Sequence, residues 1–373
     1  MRAIDHIPGS PATLLQRGRL GRYELPTRVI MAPMTRMRAH SNGVPSKMMV
    51  TYYSQRASAA LIISEATAVS PQAVGYLNTP GLYTGEHVAA WANITAAVHE
   101  RGGRIFVQLF HAGRVSHSLL QPGQSLPVAP SAIQPKGHVF TPQGRMPFET
   151  PHALSREGIQ NVVEEFKQAA EFAIAAGFDG AEIHAANGYL PDQFLRDGAN
   201  RRKDEYGGSP ANRARLLLEV ARAVASVMGP ERTGVRLSPL HAFNDMFDSA
   251  PEATFRTVVT TLGNLGLAYL HVVERDDAPH AGPRFEIGNL RRIWKSAYIA
   301  NENYDRARAE TAIAGGVDFV SFGKLFIANP DLPVRFEKNA PLNPPDRDSF
   351  YGGDERGYID YPALVDNSAA SLG

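Results

Sequence analysis

The sequence predicts an α/β protein of the (β/α)₈ class, a TIM barrel. Three observations point there. Eight short apolar runs rich in β-formers recur along the chain, and segments of helical period lie between them. The length of 373 residues fits one barrel of about 250 residues enlarged by insertions. An open doubly wound sheet produces the same local alternation, but the count of eight favours closure.

In chain order, residues 14–26 read as a small β-hairpin, an N-terminal lid that plugs the barrel bottom. Strands are expected at 28–32, 61–65, 104–109, 179–183, 233–238, 267–273, 296–300 and 317–322. The clearest helix is expected over 155–176, where Ile159, Val163, Phe166, Ala170 and Ala173 recur at three- and four-residue steps, with Ser155 as N-cap and Gly177 as stop. A second is expected over 209–228, with Leu216, Val220, Ala223 and Val227 in phase before Gly229-Pro230. Residues 116–154, rich in Pro, Gly and Gln, read as a long insertion after strand 3, placed where a substrate lid would sit. The tail 329–373 carries Pro330, Pro333, Pro341, Pro344, Pro345 and Pro362, so it should wrap the barrel and leave 1–373 a single domain.

Composition narrows the function. Lys and Arg total 38 against 37 Asp and Glu, a net charge of +1 that gives no field for nucleic acid or an acidic membrane. The absence of cysteine excludes disulfides, thiolate zinc, iron–sulfur clusters and thiol nucleophiles. Residues 1–11 hold Arg2 and Asp5 and no apolar run of signal-peptide length, and no stretch is long enough to span a bilayer. A cytoplasmic protein, monomer or homodimer, is the expectation.

In such a barrel the chemistry sits past the C-terminal ends of the strands. The residues there are Pro33, Met34, Thr35 and Arg36 after strand 1, Ala66 and Thr67 after strand 2, Gln108 and His111 at strand 3, and His184, Asn187 and Tyr189 after strand 4. Arg236 follows on strand 5, and Gly323 and Lys324 come after strand 8.

These positions fall within stretches that resemble the old yellow enzyme (ene-reductase, NADH:flavin oxidoreductase) family. They are APMTRMRA (32–39), YYSQRAS (52–58), LIISEAT (61–67), QLFHAGR (108–114), AAGFDGAEIHAANGYLPDQFL (175–195), YGGS and NR (206–213), GVRLSP (234–239), FGKLFIANPDLPVRF (322–336) and GYIDYP (357–362). The likeness spans nearly the whole chain, and nine ordered stretches are far more specific than one motif.

The resemblance implies bound, non-covalent FMN, NADPH or NADH as hydride donor, and small electron-poor alkenes as substrates. It implies that His184 and Asn187 polarise a substrate carbonyl or nitro oxygen, and that Tyr189, a phenol protonated at neutral pH, gives a proton to the α-carbon. As isolated residues these three would more often satisfy loop carbonyls or pack. Gln108 and Arg236 should grip the flavin's pyrimidine edge, although Arg236 could instead pair with a neighbouring strand's carboxylate. Thr35, which matches the threonine-type branch, should bond the flavin near its reactive edge, the alternative being a cap on its own backbone. Pro33, Met34 and Ala66 complete the ring contacts, and Tyr76 and Phe110 are assigned to the substrate pocket.

Two departures stand out. The family commonly has Gly after strand 7 and Arg after strand 8, whereas this chain has Ala300-Asn301-Glu302-Asn303 and Gly323-Lys324, so Asn301, Gly323 and Lys324 are left to hold the phosphate, with Glu302 expected to face solvent. Phe110 stands where many relatives have Trp. No metal is expected, since His184 and His111 lack a carboxylate at ligand spacing. The competing readings are a catalytically silent flavin-binding protein and a flavin-dependent 2-hydroxy acid oxidase.

Overall fold

The computed structural model describes residues 13–277 and 285–364. The leader reading of 1–11, and the tail beyond 364, lie outside the described residues. Eight parallel strands close a barrel in sequence order. They are β1 (Val29–Met31), β2 (Leu61–Ala68), β3 (Ile105–Phe110), β4 (Gly180–Ala185), β5 (Thr233–Leu237), β6 (Tyr269–Val273), β7 (Ala297–Asn301) and β8 (Phe319–Phe322). Closure runs through β8 beside β1, with Ser321 opposite Ile30. Strands β2 to β6 are buried on both faces, as parallel strands covered by helices must be.

The outer helices follow from amphipathic period. Helix α1 (Arg156–Ala175) starts at Ser155, whose Oγ accepts from the Gly158 amide at 3.0 Å. It buries Ile159, Val162, Phe166, Ala169, Ala170 and Ala173, with Val163 only half-buried. The expected helix over 209–228 is instead a short turn, Pro210–Arg213, followed by α2 (Arg215–Met228). Its buried stripe is Leu216, Leu217, Val220, Ala221, Val224 and Met228. Ala223 and Val227 fall at the stripe's edge, because α2 packs against both the barrel and α1 and so turns a different flank inward.

The hairpin Gly18–Leu20 and Tyr23–Leu25 lies across the N-terminal ends of the strands. Its turn residue Gly21 has φ +54, and a Cβ there would lie 2.0 Å from the Glu231 carbonyl oxygen. Tyr23 Oη donates to the Asp179 carbonyl at 2.8 Å. Leu20 and Leu25 then bury against Ile30, Leu61, Ile63, Phe106, Tyr269, Ile299 and Phe319, the apolar floor of the barrel.

At the opposite end the insertion after β3 forms a second hairpin, His138–Thr141 with Gly144–Pro147. The tail docks on the loop after β1. Arg36, fully buried, donates from Nε to the Phe350 carbonyl at 2.8 Å and from Nη2 to the Gly357 carbonyl at 2.8 Å. Tyr358 stacks on Tyr52 with centroids 4.2 Å apart, and the guanidinium groups of Arg36 and Arg38 lie over its ring. Among the described residues no helix is long and apolar enough to cross a membrane.

Leu20→Ala empties the centre of the floor without touching the other end of the barrel. It should cost about 3 kcal/mol of stability, read as a lowered midpoint in chemical denaturation.

Candidate active site

A cavity of about 820 Å³ opens at the C-terminal mouth of the barrel. Its walls come from the loop after β1 (Pro33, Met34, Thr35), from Ala66 and Tyr76, and from Gln108, His184, Asn187, Tyr189 and Arg236. Asn301, Gly323 and Lys324 complete it on the β7–β8 side. The strand order alone brings these distant segments together, since each lies at the same end of a neighbouring strand.

Beneath the cavity floor lies a buried polar layer centred on Glu182. Its Oε1 accepts from Gln108 Nε2 at 2.7 Å, and its Oε2 is 2.8 Å from His271 Nδ1. His271 Nε2 reaches Ser321 Oγ at 2.8 Å. Burial works to raise the Glu182 carboxyl, but His271, Arg236 and Gln108 outweigh it and hold the pKa below the usual range. Burial, aided by Arg236 and against Glu182, lowers His271. The layer therefore sets a carboxylate against an imidazole whose protonation Glu182 favours and burial and Arg236 oppose, with Arg236 as its fixed cation.

Arg236 is 6% exposed and donates from Nη2 to Asn301 Oδ1 at 2.8 Å. Among the described residues no carboxylate lies within ion-pair distance of it, and its buried Nε has no partner. The neighbouring-strand ion pair considered above is thus absent as a direct contact: Glu182 acts on Arg236 through space. Asn301 spends its amide on Arg236 and on the Ser321 carbonyl at 3.1 Å, so its side chain positions the guanidinium.

The segment after β4 reverses through two left-handed residues, Asn187 at φ +59 and Gly188 at φ +78. A Cβ on Gly188 would lie 2.7 Å from Met246 Cγ and 2.8 Å from Asn244 Cβ, so glycine is required at this close approach. The reversal places His184, Asn187 and Tyr189 on one wall. The His184 and Tyr189 rings meet edge-on at 4.9 Å. Burial, then Arg236 and His271, hold His184 well below its ordinary pKa, so the ring is neutral, and its Nδ1 has no partner. Burial raises the Tyr189 phenol well above 10, and Tyr76, whose Oη is 2.9 Å away, adds to the effect. Tyr76 itself is pushed up to about 12 by burial.

Two expectations are corrected. Phe110 does not line the cavity: 2% exposed, it packs edge-on beneath Tyr189 with centroids 4.5 Å apart and beside His184. As the last residue of β3 it points into the insertion's small core with Val139 and Phe148. Glu302 faces solvent only in part: its side chain, 23% exposed, also lines the cavity and lies 3.5 Å from Arg275 Nη1. Its φ is +126, and Arg275, whose charge it shares with Asp277, offsets the carboxylate in part.

Sequence reading missed Phe140, Phe243, Tyr351 and Arg275, which also line the cavity. They come from the insertion, two loops and the tail, where no periodicity or motif marks a side chain's direction.

A closed parallel barrel whose mouth holds a buried guanidinium without a bonded carboxylate, a neutral imidazole and a protonated phenol can accept an electron-rich or anionic group and donate hydrogen bonds and a proton to it. Comparison with known proteins gives the family. Residues 18–343 match the NADH:flavin oxidoreductase / NADH oxidase family. The chain is 44% identical to 12-oxophytodienoate reductase 1 of Oryza sativa subsp. japonica, over 94% of this chain and 93% of that one. It is 42% identical to 12-oxophytodienoate reductase 2 of Arabidopsis thaliana, over 94% and 96%. Its fold superposes on morphinone reductase with a TM-score of 0.92 at 47% identity, covering 98% of this chain and 100% of the other. The old yellow enzyme homologue of Zymomonas mobilis gives 0.91 at 41%, covering 95% and 100%. The chain belongs to the NADH:flavin oxidoreductase / NADH oxidase family, the old yellow enzymes, and is an FMN-dependent oxidoreductase.

Glu182→Gln keeps the shape and removes the charge that faces Arg236. It should lose about 3 kcal/mol of stability at pH 8. The native carboxyl is depressed, so its contribution is complete above the ordinary Glu range and fades as pH falls through the folded pKa. Denaturation curves of the two proteins should therefore converge on the acid side.

Proposed function

We propose that the protein is an ene-reductase that uses NADPH or NADH to reduce the activated C=C bond of α,β-unsaturated carbonyls and nitroalkenes. The observation that carries the reading is the shared wall of His184, Asn187 and Tyr189, two polar side chains with unspent donors beside a protonated phenol. FMN, when bound, supplies the hydride relay between the nicotinamide and the alkene.

The residues fit that cofactor. Arg236 is a buried cation with no directly bonded carboxylate among the described residues and an unpartnered Nε, and the cavity of about 820 Å³ is large enough for a ring system with a substrate above it. Arg236 and Gln108 would hold the pyrimidine edge, Thr35, Pro33, Met34 and Ala66 the rest of the ring, and Gly323, Lys324 and the Asn301 segment the phosphate.

His184 and Asn187 bind the substrate oxygen. A neutral imidazole and an amide donate hydrogen bonds without adding charge, so they gain most as negative charge develops on that oxygen. This draws electron density from the β-carbon and orients the α-carbon towards Tyr189. The phenol then gives its proton to the α-carbon, and the hydroxyl of Tyr76, 2.9 Å away, stabilises the oxygen left behind. Phe140, Phe243 and Tyr351 stand exposed at the mouth, where a bound substrate would cover them and favour protonation from Tyr189 over protonation from solvent.

Tyr189→Phe should leave reduction of the flavin by NADPH unchanged and slow alkene reduction about 100-fold, measured as separate half-reactions by stopped-flow absorbance. Equal loss in both half-reactions contradicts the proton-donor role. At the phosphate end, Glu302→Gly should relieve the positive φ, remove a carboxylate from the cavity wall and leave Arg275 paired, among the described residues, with Asp277 alone. FMN should then bind about tenfold more tightly, as read by quenching of flavin fluorescence.

A further inference from the structure

The loop after β5 holds a histidine that the reaction above does not use. His241 lies behind Asn187, outside the cavity lining, and its Nδ1 is 3.2 Å from Asn187 Oδ1. Burial lowers its pKa to about 4, with Arg275, Arg196 and Arg236 acting in the same direction and Asp277 against. At neutral pH the ring therefore has one N–H. An amide oxygen can only accept, so that hydrogen sits on Nδ1. The ring of Phe243 lies nearly parallel to the imidazole, with centroids 5.5 Å apart at 15°.

The same loop holds the backbone of Asn187. Its N–H donates to Ser238 Oγ at 2.7 Å, and its carbonyl accepts from Asn244 Nδ2 at 2.8 Å. Residues 238–244 thus engage the N–H, the carbonyl and the side-chain oxygen of Asn187. Its Nδ2 is left, on a residue that lines the cavity.

We propose that His241 is a positioning residue for substrate binding: by holding Asn187 Oδ1 it turns the amide's N–H edge towards the substrate oxygen. The two ends of an amide have nearly the same size. Without His241 the group is free to rotate by half a turn and present lone pairs to the lone pairs of a carbonyl or nitro oxygen. The inference rests on the reading of Asn187 as a substrate donor.

The test uses the FMN-loaded enzyme and 2-cyclohexenone as the probe, with its dissociation constant read from the perturbed absorbance of the oxidised flavin. His241→Phe keeps an aromatic ring without a donor and should weaken binding about tenfold, with melting temperature and FMN content unchanged. His241→Asn restores an N–H near the position of Nδ1 and should recover most of the affinity. In an Asn187→Ala background, adding His241→Phe should have no further effect, because the donor then has nothing to orient. The inference is overturned if His241→Phe binds as the wild type does, if His241→Asn gives no recovery, or if the effect persists in the Asn187→Ala background. Should Asn187→Ala itself bind cyclohexenone normally, the substrate-donor reading falls as well; normal binding by His241→Phe alone removes only the role of His241.

Discussion

A carboxylate in the middle of the barrel organises the mouth. Glu182 is fully buried, a position that costs several kcal/mol unless its oxygens and charge are compensated. Gln108 and His271 satisfy the oxygens, and Arg236 supplies the opposite charge through space. The arrangement also works in reverse: Gln108 is oriented by its bond to Glu182, and Arg236 can stay buried without a directly bonded anion because a carboxylate lies beneath it. Its guanidinium is therefore available to a ligand from above. His184, across the register from Arg236, is kept neutral by burial and by that cation, which suits a group that must donate without adding charge.

His184 stands at the end of β4, Asn187 and Tyr189 on the segment that follows it, and the loops at the mouth are held by one another. The segment after β4 is held by the one after β5, through Ser238, His241 and Asn244 on Asn187 and through Met246 packed over Gly188. Asp192 and Arg196 form a buried pair that also reaches Ser238. The loop after β1 is held by the tail through Arg36, Tyr52 and Tyr358. Such cross-bracing gives short irregular segments the precision that positioning of a substrate oxygen and a proton donor demands.

Much of this was legible in the sequence. All eight strands were, because a parallel strand buried on both faces is a short continuous apolar run and little else in a chain imitates eight of them between helical segments. The polar residues at strand ends were legible for the same reason, their place following from the strand's direction. Ala223 and Val227 were misplaced because a helix with apolar residues on two flanks has no single reading until its neighbours are known. Phe110 was assigned to the pocket, but a strand's last side chain can turn to either face, and the insertion's own core took it. Glu302 was turned outward on an electrostatic argument that lacked Arg275, which stands 27 residues earlier in the chain.

The sequence by itself determined the barrel, the end at which chemistry occurs and the identity of the groups on the β4 segment, since these follow from local pattern and strand polarity. Only the tertiary structure decided which unlinked residues support them: the Glu182 layer, the hold of His241 and Asn244 on Asn187, and the pairing of Tyr76 with Tyr189. These are contacts between side chains far apart in the chain, governed by burial and distance, and no local periodicity encodes them.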